Sequence, residues 1–265
     1  MKLIFLGTGT SIGVPHIRCK CRVCTSTDPH DKRLRASALL QTENGAPGIL
    51  IDCGPDFRQQ ILSVESPDLA CAIITHTHYD HLAGVDDLRP YSHAFPNSHF
   101  PIYCREDVAN DLRNRIPYCF VEKPYPGVPQ FDLRLVSPFV DFTVDLGAGY
   151  KPIKVTPLPI SHGALNIYGY HIGNLAYITD ATNIPPETIE AIRDVDTLVV
   201  NALRIKPHMA HFSLRQALDA IKQIAPRQAF LTHMSHGIGL HAEVSKILPQ
   251  GVKFAYDGLT INIPD

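Results

Sequence analysis

Short apolar runs recur along the whole chain, and glycine, proline or aspartate bounds them. They are rich in valine, isoleucine, leucine and threonine, a composition typical of β-strands. The runs cover residues 3–6, 49–52, 72–75, 153–157, 176–179, 197–201, 229–232 and 259–263. The sequence therefore predicts many short strands, distributed from the first residues to the last.

Helical periodicity is clearest between residues 213 and 226. The apolar positions there have the spacing of one helix face, and they are Leu214, Ala217, Leu218, Ile221 and Ile224. Ser213 and Gln216 form a capping-box pattern at the start, and Pro226 predicts the end. A second helix is predicted from about Pro185 to Ile192. Because helices alternate with strands, the pattern indicates the α/β class.

Residues 91–150 lack this periodicity and are rich in proline and aromatic residues. We predict that they form an inserted, cap-like region within a single domain that spans residues 1–265. The sequence leaves open whether this region covers a functional site, forms a homodimer contact, or does both.

The composition is that of an ordinary globular protein, with 265 residues, 45% hydrophobic and 19% charged. A formal net charge of -2 counts against a general nucleic-acid binder, which usually carries a basic surface. No apolar stretch approaches the roughly 20 residues that span a bilayer, so no membrane partner is predicted. The apolar start is too short for a signal peptide, so we expect a first strand and a cytoplasmic protein.

Strong metal-ligand side chains crowd together directly after the run at 72–75, in the pattern H-x-H-x-D-H. In an extended segment His76 and His78 point to one side. A turn after Tyr79 would bring Asp80 and His81 to a neighbouring point, which predicts two adjacent metal sites. Imidazole and carboxylate ligands suit zinc, manganese or iron. The alternative is a histidine-rich surface loop without metal.

Three further candidate ligands, His162, Asp180 and His233, each follow a predicted strand. The ends of strands in a rigid sheet can hold ligands convergently. Taken singly, an aspartate before a turn usually forms the turn, and a lone histidine is usually only hydrogen-bonded. Their shared position favours the metal-ligand interpretation.

Taken together, these residues resemble the metallo-β-lactamase superfamily of binuclear hydrolases. The segments 7–15 and 51–54 resemble its phosphodiesterase and ribonuclease Z branch. The likeness to PhnP-type cyclic phosphodiesterases is closer, and segments 19–24, 35–37, 158–162, 232–236 and 256–258 carry it. It covers nearly the whole chain except residues 91–150. The resemblance implies a metallo-β-lactamase αββα four-layer sandwich with two mixed β-sheets.

The resemblance also implies roles for the ligands, in two groups and one bridge: His76, His78 and His162; Asp80, His81 and His233; and Asp180. Two divalent metal ions held in this way share a hydroxide that serves as the nucleophile. Asp80 would also orient that nucleophile as a catalytic residue. Asp52 is expected to hold the ligand loop by hydrogen bonds without binding metal itself.

The seven cysteines are an odd number and do not form a disulfide framework. Cys19, Cys21 and Cys24 lie close together, which in a reducing compartment indicates metal binding. The PhnP-type resemblance supplies His236 as a fourth ligand. It thus implies one structural zinc ion in a closed tetrahedral site. The alternative is a set of free thiols with His236 nearby.

His211 precedes the predicted helix cap at Ser213. A histidine at this place in both related branches contacts the substrate phosphate and protonates the leaving group, and a pKa near neutrality suits that task. The alternative is a histidine that only packs at the helix entrance. Arg204, Lys206 and His208 lie just upstream, and either bind phosphate oxygens or form a solvated basic loop.

The function expected from this sequence is that of a metal-dependent phosphodiesterase with a small or cyclic phosphodiester substrate. A ribonuclease Z-like endonuclease is the second reading, but the sequence has no basic arm to grip RNA. A thioester or lactone hydrolase on the same metal core is a third, because fold does not fix substrate. A metal-bearing binding module without turnover is a fourth, although the full set of ligands favours an enzyme.

Overall fold

The computed structural model describes residues 1–42, 45–94 and 99–264. Its strands are β1 (Lys2–Gly7), β2 (Ser37–Gln41), β3 (Gly48–Ile51), β4 (Leu69–Ile73), β5 (Phe100–Cys104), β6 (Phe131–Leu135), β7 (Phe142–Val144), β8 (Ile153–His162), β9 (Leu165–Ile172), β10 (Leu175–Ile178), β11 (Thr197–Asn201), β12 (Gln228–Thr232), β13 (Val252–Phe254) and β14 (Thr260–Asn262). Its α-helices are α1 (Phe57–Leu62), α2 (Tyr79–Leu82), α3 (Arg89–Ser92), α4 (Glu106–Arg115), α5 (Pro186–Ala191), α6 (Leu214–Ile224) and α7 (His241–Val244). Among these described helices, none has both the length and the apolar character needed to cross a bilayer.

The strands form two seven-stranded sheets. The first has the order β14-β1-β2-β3-β4-β5-β6, and the second has the order β13-β12-β11-β10-β9-β8-β7. Pairing is antiparallel from β14 to β3 and parallel from β3 to β6. In the second sheet it is antiparallel from β7 to β10 and parallel from β10 to β13. Both sheets are therefore mixed, as expected.

Three apolar clusters separate four layers of structure. The central cluster joins the inner faces of the two sheets, where the rings of Phe5 and Phe230 lie 5.9 Å apart. On the outer face of the first sheet, α1 and α4 bury side chains such as Phe57 and Leu112. On the outer face of the second sheet, α6 buries Ile221. The order of layers is helix, sheet, sheet, helix, which confirms the predicted αββα sandwich.

The strand and helix predictions coincide with observed elements. Each of the eight apolar runs overlaps a strand, because residues that alternate between two apolar clusters bury both faces of their sheet. The capping box at the start of α6 is present, with Ser213 and Gln216 each bonding the other's backbone. The helix ends at Ala225, which adopts a left-handed φ of 57° just before Pro226.

Residues 91–150 do not form an insertion outside the sheets. Their described part contributes β5 and β6 to the first sheet, β7 to the second, and α4 to an outer layer; residues 95–98 lie outside the described residues. Periodicity was a poor guide here because every residue of β5 is buried, which removes the alternation of a half-exposed strand. The structure thus corrects the prediction of an inserted cap for this part of the chain.

A buried carboxylate close to β14 predicts a pH dependence of stability. The Asp257 side chain accepts hydrogen bonds from the Thr8 hydroxyl at 2.7 Å and the Leu34 amide at 2.6 Å. Burial raises its pKa from 3.8 to about 6, although these hydrogen bonds and Arg33 act in the opposite direction. Because the folded pKa is the higher one, folding favours the protonated acid. This contribution is complete below pH 3.8 and is lost as the pH rises through about 6.

We expect Asp257→Asn, which cannot ionise, to escape this loss. Between pH 4 and 7 its free energy of unfolding, relative to the unsubstituted protein, should rise by about 3 kcal/mol, since one pKa unit corresponds to about 1.4 kcal/mol. Urea unfolding across this pH range measures the difference, and groups common to both proteins cancel. The exposed Asp219→Asn serves as the control. Parallel stability curves for the Asp257 variant and the unsubstituted protein would contradict the assignment.

Candidate metal centre

The candidate ligands stand at the ends of strands, where the chain turns sharply. His162 is the last residue of β8, while Asp180 and His233 follow β10 and β12. Asp180, His233 and also Asp52 after β3 have left-handed φ values of 57°, 54° and 61°. This region is uncommon for residues other than glycine, and each such residue costs on the order of 1–3 kcal/mol. The sheets therefore hold the backbone of these residues in conformations that the local sequence does not favour.

The first ligand group brings together His76, His78 and His162, whose ligand atoms lie within 4.8 Å of one another. Nδ1 of His162 donates a hydrogen bond to the carbonyl of Ala210 at 2.7 Å, so its Nε2 carries a lone pair. That Nε2 lies 3.3 Å from Nδ1 of His78. The two ring nitrogens converge on one point together with His76, and the binding of a metal there stays a prediction.

The second group brings together Asp80, His81 and His233 within the same limit. Nε2 of His81 lies 3.2 Å from a carboxylate oxygen of Asp80, and Nε2 of His233 lies 3.3 Å from that oxygen. His81 and Asp80 are four per cent exposed or less. His233 is fully buried, so all three side chains of this group are shielded from solvent.

Asp180 lies between the two groups. Its Oδ2 is 3.1 Å from Nε2 of His81, and its Oδ1 is 3.1 Å from Nε2 of His233. It also shares a ligand cluster with His76 of the first group. This is the place that a bridging carboxylate would occupy, and the bridging role itself stays a prediction.

The chemistry of these residues fits a pair of divalent cations. Nε2 of His76 is buried without a hydrogen-bond partner among the described residues, and Nε2 of His81 faces the carboxylates of Asp80 and Asp180 at 3.2 and 3.1 Å. Burial alone would lower the pKa of His81, but Asp80, Asp180 and Asp52 raise it well above its ordinary value. Buried carboxylates thus demand a positive charge where nitrogen lone pairs converge, and this mixed nitrogen and oxygen set suits zinc, manganese or iron.

Asp52 holds the ligand loop from behind. Its carboxylate accepts a hydrogen bond from Nδ1 of His81 at 2.6 Å and from the Thr75 amide at 2.8 Å, and the Thr75 hydroxyl lies 2.9–3.0 Å from both carboxylate oxygens. The hydrogen bond from Nδ1 of His81 to Asp52 fixes the His81 tautomer, so that Nε2 remains free to bind a metal. Asp52 is fully buried and touches the ligand His81 from the side away from the other ligands.

We expect Asp52→Asn to weaken metal binding by about 10–100-fold, because partners of metal-bound histidines contribute that much to affinity. An amide can donate to Nδ1 of His81 and thereby favour the wrong tautomer. Metal content after dialysis against graded chelator measures the change, with the exposed Asp87→Asn as the control. Equal metal retention in both variants would remove Asp52 from this role.

His211 lies at the outer side of the centre. Its Nδ1 is 3.3 Å from Oδ1 of Asp180, and its ring lies 4.9 Å from that of His233 and 4.7 Å from that of His162. Burial lowers the pKa of His211 to about 3, and the neighbouring His233 acts in the same direction, whereas Asp180 acts in the opposite direction. This differs from the near-neutral pKa that the sequence suggested. His211 is therefore neutral at pH 7 here, and protonation requires a further negative charge beside it.

The cysteine cluster forms a separate, four-sided site. Sγ of Cys19, Cys21 and Cys24 lies 3.4, 3.5 and 3.4 Å from the same atom, Nδ1 of His236. In a tetrahedral zinc site, bonds of about 2.3 Å to sulfur and 2.0–2.1 Å to nitrogen would separate these atoms by about 3.5 Å. The spacing fits a closed zinc site, and the ring of His16 packs 3.9 Å from that of His236.

Sequence reasoning missed three groups that orient these ligands. The Ala210 carbonyl fixes His162, the Thr75 hydroxyl lies 3.0 Å from Nδ1 of His76, and His16 packs on His236. A backbone carbonyl leaves no signal in a sequence. The position of Thr75 directly before His76 was a signal that could have been used.

Comparisons with known proteins agree with this geometry. A family model described as a β-lactamase superfamily domain matches residues 48–234. The octanoyltransferase of Porphyromonas gingivalis is 43% identical over 260 residues, which are 98% of this chain and 51% of that protein. The chain therefore spans about half the length of this curated relative.

Two solved structures are also similar. A diphosphatase from the PhnP family is 36% identical with a TM-score of 0.87, and the match covers 98% of this chain and 96% of that chain. The short form of human tRNase Z has a TM-score of 0.71 at 18% identity, with both chains fully covered. At that identity the second likeness concerns the fold alone.

Proposed function

This chain belongs to the metallo-β-lactamase superfamily, and on that basis we propose that it is a phosphodiesterase with two active-site metal ions. Its substrates would be small or cyclic phosphodiesters. The observation that carries the proposal is the arrangement of the seven candidate ligands, in which Asp180 shares clusters with members of both groups of three. When bound, such a pair of ions would stabilise the negative charge that develops in an in-line displacement at phosphorus.

The PhnP-family diphosphatase supports the choice of bond. It is 36% identical over nearly the full length of both chains, and its name gives it a reaction in which a bond between phosphorus and oxygen is hydrolysed. A small phosphodiester requires the same displacement. The likeness to tRNase Z does not favour RNA here, because it concerns the fold alone and the net charge is -2.

The side chains divide the work of this reaction. When bound, the divalent ions supply Lewis acidity and lower the pKa of water. Asp80 lies 3.3 Å from His233 and would orient the attacking water by accepting its hydrogen bond. His211, at the mouth, would donate a proton to the leaving oxygen. The pKa of His211 is lowered by burial, so the negative phosphoryl group must raise it when substrate binds.

The octanoyltransferase relative favours a second candidate, hydrolysis of an acyl thioester or lactone. That protein is 43% identical to this chain, but only about half of its length is matched. Its name describes the whole protein, of which the matched part is about half. The same metal core can polarise a carbonyl as well as a phosphoryl oxygen.

We also propose a cytoplasmic location and one structural zinc ion. The cysteines of the described chain are all free, and three of them converge on His236. Thiolate ligands persist in a reducing compartment, whereas an oxidising one converts neighbouring thiols into disulfides.

The test is a substrate panel with protein loaded with manganese or zinc. It contains bis(p-nitrophenyl) phosphate, a cyclic nucleotide, inorganic diphosphate, octanoyl-coenzyme A and a lactone. Asp180→Ala runs beside it as the inactive control. Metal-dependent hydrolysis of the diesters that the control lacks supports the proposal. Turnover of the thioester or lactone alone would favour the second candidate, and turnover of neither class by the fully metal-loaded protein would overturn both.

A further inference from the structure

A row of four stacked imidazoles leads from the metal centre to the surface. The rings of His81 and His233 lie 5.6 Å apart, those of His233 and His211 lie 4.9 Å apart, and those of His211 and His208 lie 5.3 Å apart. The interplanar angles are 17°, 24° and 34°. The inner two rings are fully buried, whereas His208 is half-buried at the outer end. His208 has no role in the mechanism proposed above.

The tautomer of His208 is fixed by its own loop. The Ala210 amide donates a hydrogen bond to Nδ1 of His208 at 3.1 Å. A backbone N–H can only donate, so Nδ1 must carry a lone pair, the ring must be neutral, and the proton must lie on Nε2. The carbonyl of the same Ala210 accepts from the ligand His162. One residue therefore sets the orientation of His208 relative to the metal centre.

The loop that carries His208 is braced from its base. The guanidinium of Arg204 donates to the carbonyls of Lys206 at 3.1 Å and Pro207 at 2.7 Å. These bonds hold the guanidinium of Arg204 against the backbone of the loop. Pro207 and Met209, the neighbours of His208, are exposed, which shows that the His208 ring alone is turned inward against His211.

We propose that His208 is a substrate-binding residue, whose Nε2–H donates a hydrogen bond to a non-bridging phosphoryl oxygen of the substrate at the mouth of the metal centre. The inference rests on the phosphodiesterase function proposed above for the identity of this oxygen. The ring lies 5.3 Å from that of His211, which is proposed above to protonate the leaving oxygen, so both histidines would face the same phosphoryl group. A neutral donor that is already oriented binds an anionic oxygen without first being reorganised.

Two substitutions separate this role from a structural one. In His208→Asn, the side-chain oxygen can still accept the Ala210 amide, but no donor reaches the position of Nε2. In His208→Gln, the longer amide can place its nitrogen near the position of Nε2. A substrate-binding role predicts that glutamine preserves binding and asparagine does not, whereas a purely structural role predicts the reverse.

The measurement is the affinity of the metal-loaded protein for inorganic phosphate, by titration calorimetry. We expect His208→Asn to bind phosphate about 10–100-fold more weakly, the range for a hydrogen bond to a charged group. His208→Gln should stay within about threefold of the unsubstituted protein, and metal content and melting temperature should not change in either variant. The exposed His93→Asn is the matched control. Unchanged phosphate affinity in His208→Asn, or an equal loss in both His208 variants, would overturn the inference.

This readout needs no turnover, so the two proposals fail separately. If no diester is hydrolysed but phosphate affinity falls only in His208→Asn, the phosphodiesterase proposal fails and the role of His208 stands. If diesters are hydrolysed with an unchanged kcat/KM in His208→Asn, the role of His208 is wrong and the function stands.

Discussion

We expect Asp180→Asn to lose bound metal and to lower metal-dependent turnover by more than about 100-fold. Partners that only orient a ligand contribute about 10–100-fold to affinity or activity, and a carboxylate placed between both ligand groups should contribute more. Its two oxygens each lie 3.1 Å from an imidazole of the second group, that of His81 and that of His233, and it shares candidate ligand clusters with His76 and His162 of the first group. An amide presents one oxygen and one NH₂ group, so it offers only one ligand atom where the carboxylate offers two.

Metal content per chain and kcat on the best substrate of the panel measure this loss. The exposed Asp219→Asn, which changes the net charge by the same amount, controls for charge alone. Circular dichroism establishes that the variant is folded before its metal is counted. A folded Asp180→Asn protein with full metal content and normal turnover would exclude Asp180 as the bridge.

Cys21→Ser should remove one zinc ion per chain and lower the melting temperature. The folded variant should keep its active-site metals. Each of the three sulfurs lies 3.4–3.5 Å from Nδ1 of His236. A serine hydroxyl is a poor replacement for a thiolate, and a structural zinc contributes directly to folding. His236 follows the active-site ligand His233 by three residues, so loss of the zinc should also loosen the loop that carries His233.

Zinc content by elemental analysis, together with thermal unfolding, tests this prediction. Cys119→Ser is the control, because Cys119 is likewise outside any disulfide but lies against Asp86 rather than in the cluster. We expect the control to keep its zinc. Unchanged zinc content and melting temperature in Cys21→Ser would indicate that the three thiols are free.

The octanoyltransferase likeness bears on the choice between the two candidate functions. About half of that protein matches this chain along its full length. The matched part of this chain includes both sheets and both helical layers of the αββα arrangement. The thioester in the substrate panel is therefore a direct comparison between the two candidate functions.

The sequence by itself determined the candidate ligands, eight of the fourteen described strands and two of the seven described α-helices. Apolar runs placed the strands because residues that pack on both faces of a sheet must be apolar. The H-x-H-x-D-H pattern identified His76, His78, Asp80 and His81 because such ligands rarely crowd together without a metal. The start and end of α6 were also local, set by a capping box and by Pro226.

Only the tertiary structure decided which residues meet, because those contacts join positions far apart in the chain. His78 and His162 are 84 residues apart, and Asp80 and His233 are 153 apart. The role of Ala210, which orients both His162 and His208, depends on backbone groups that carry no sequence signal. The lowered pKa of His211 likewise follows from burial among other side chains. The candidate ligands can thus be named from the local sequence. Their geometry, tautomers and charges result from the packing of the two sheets against each other.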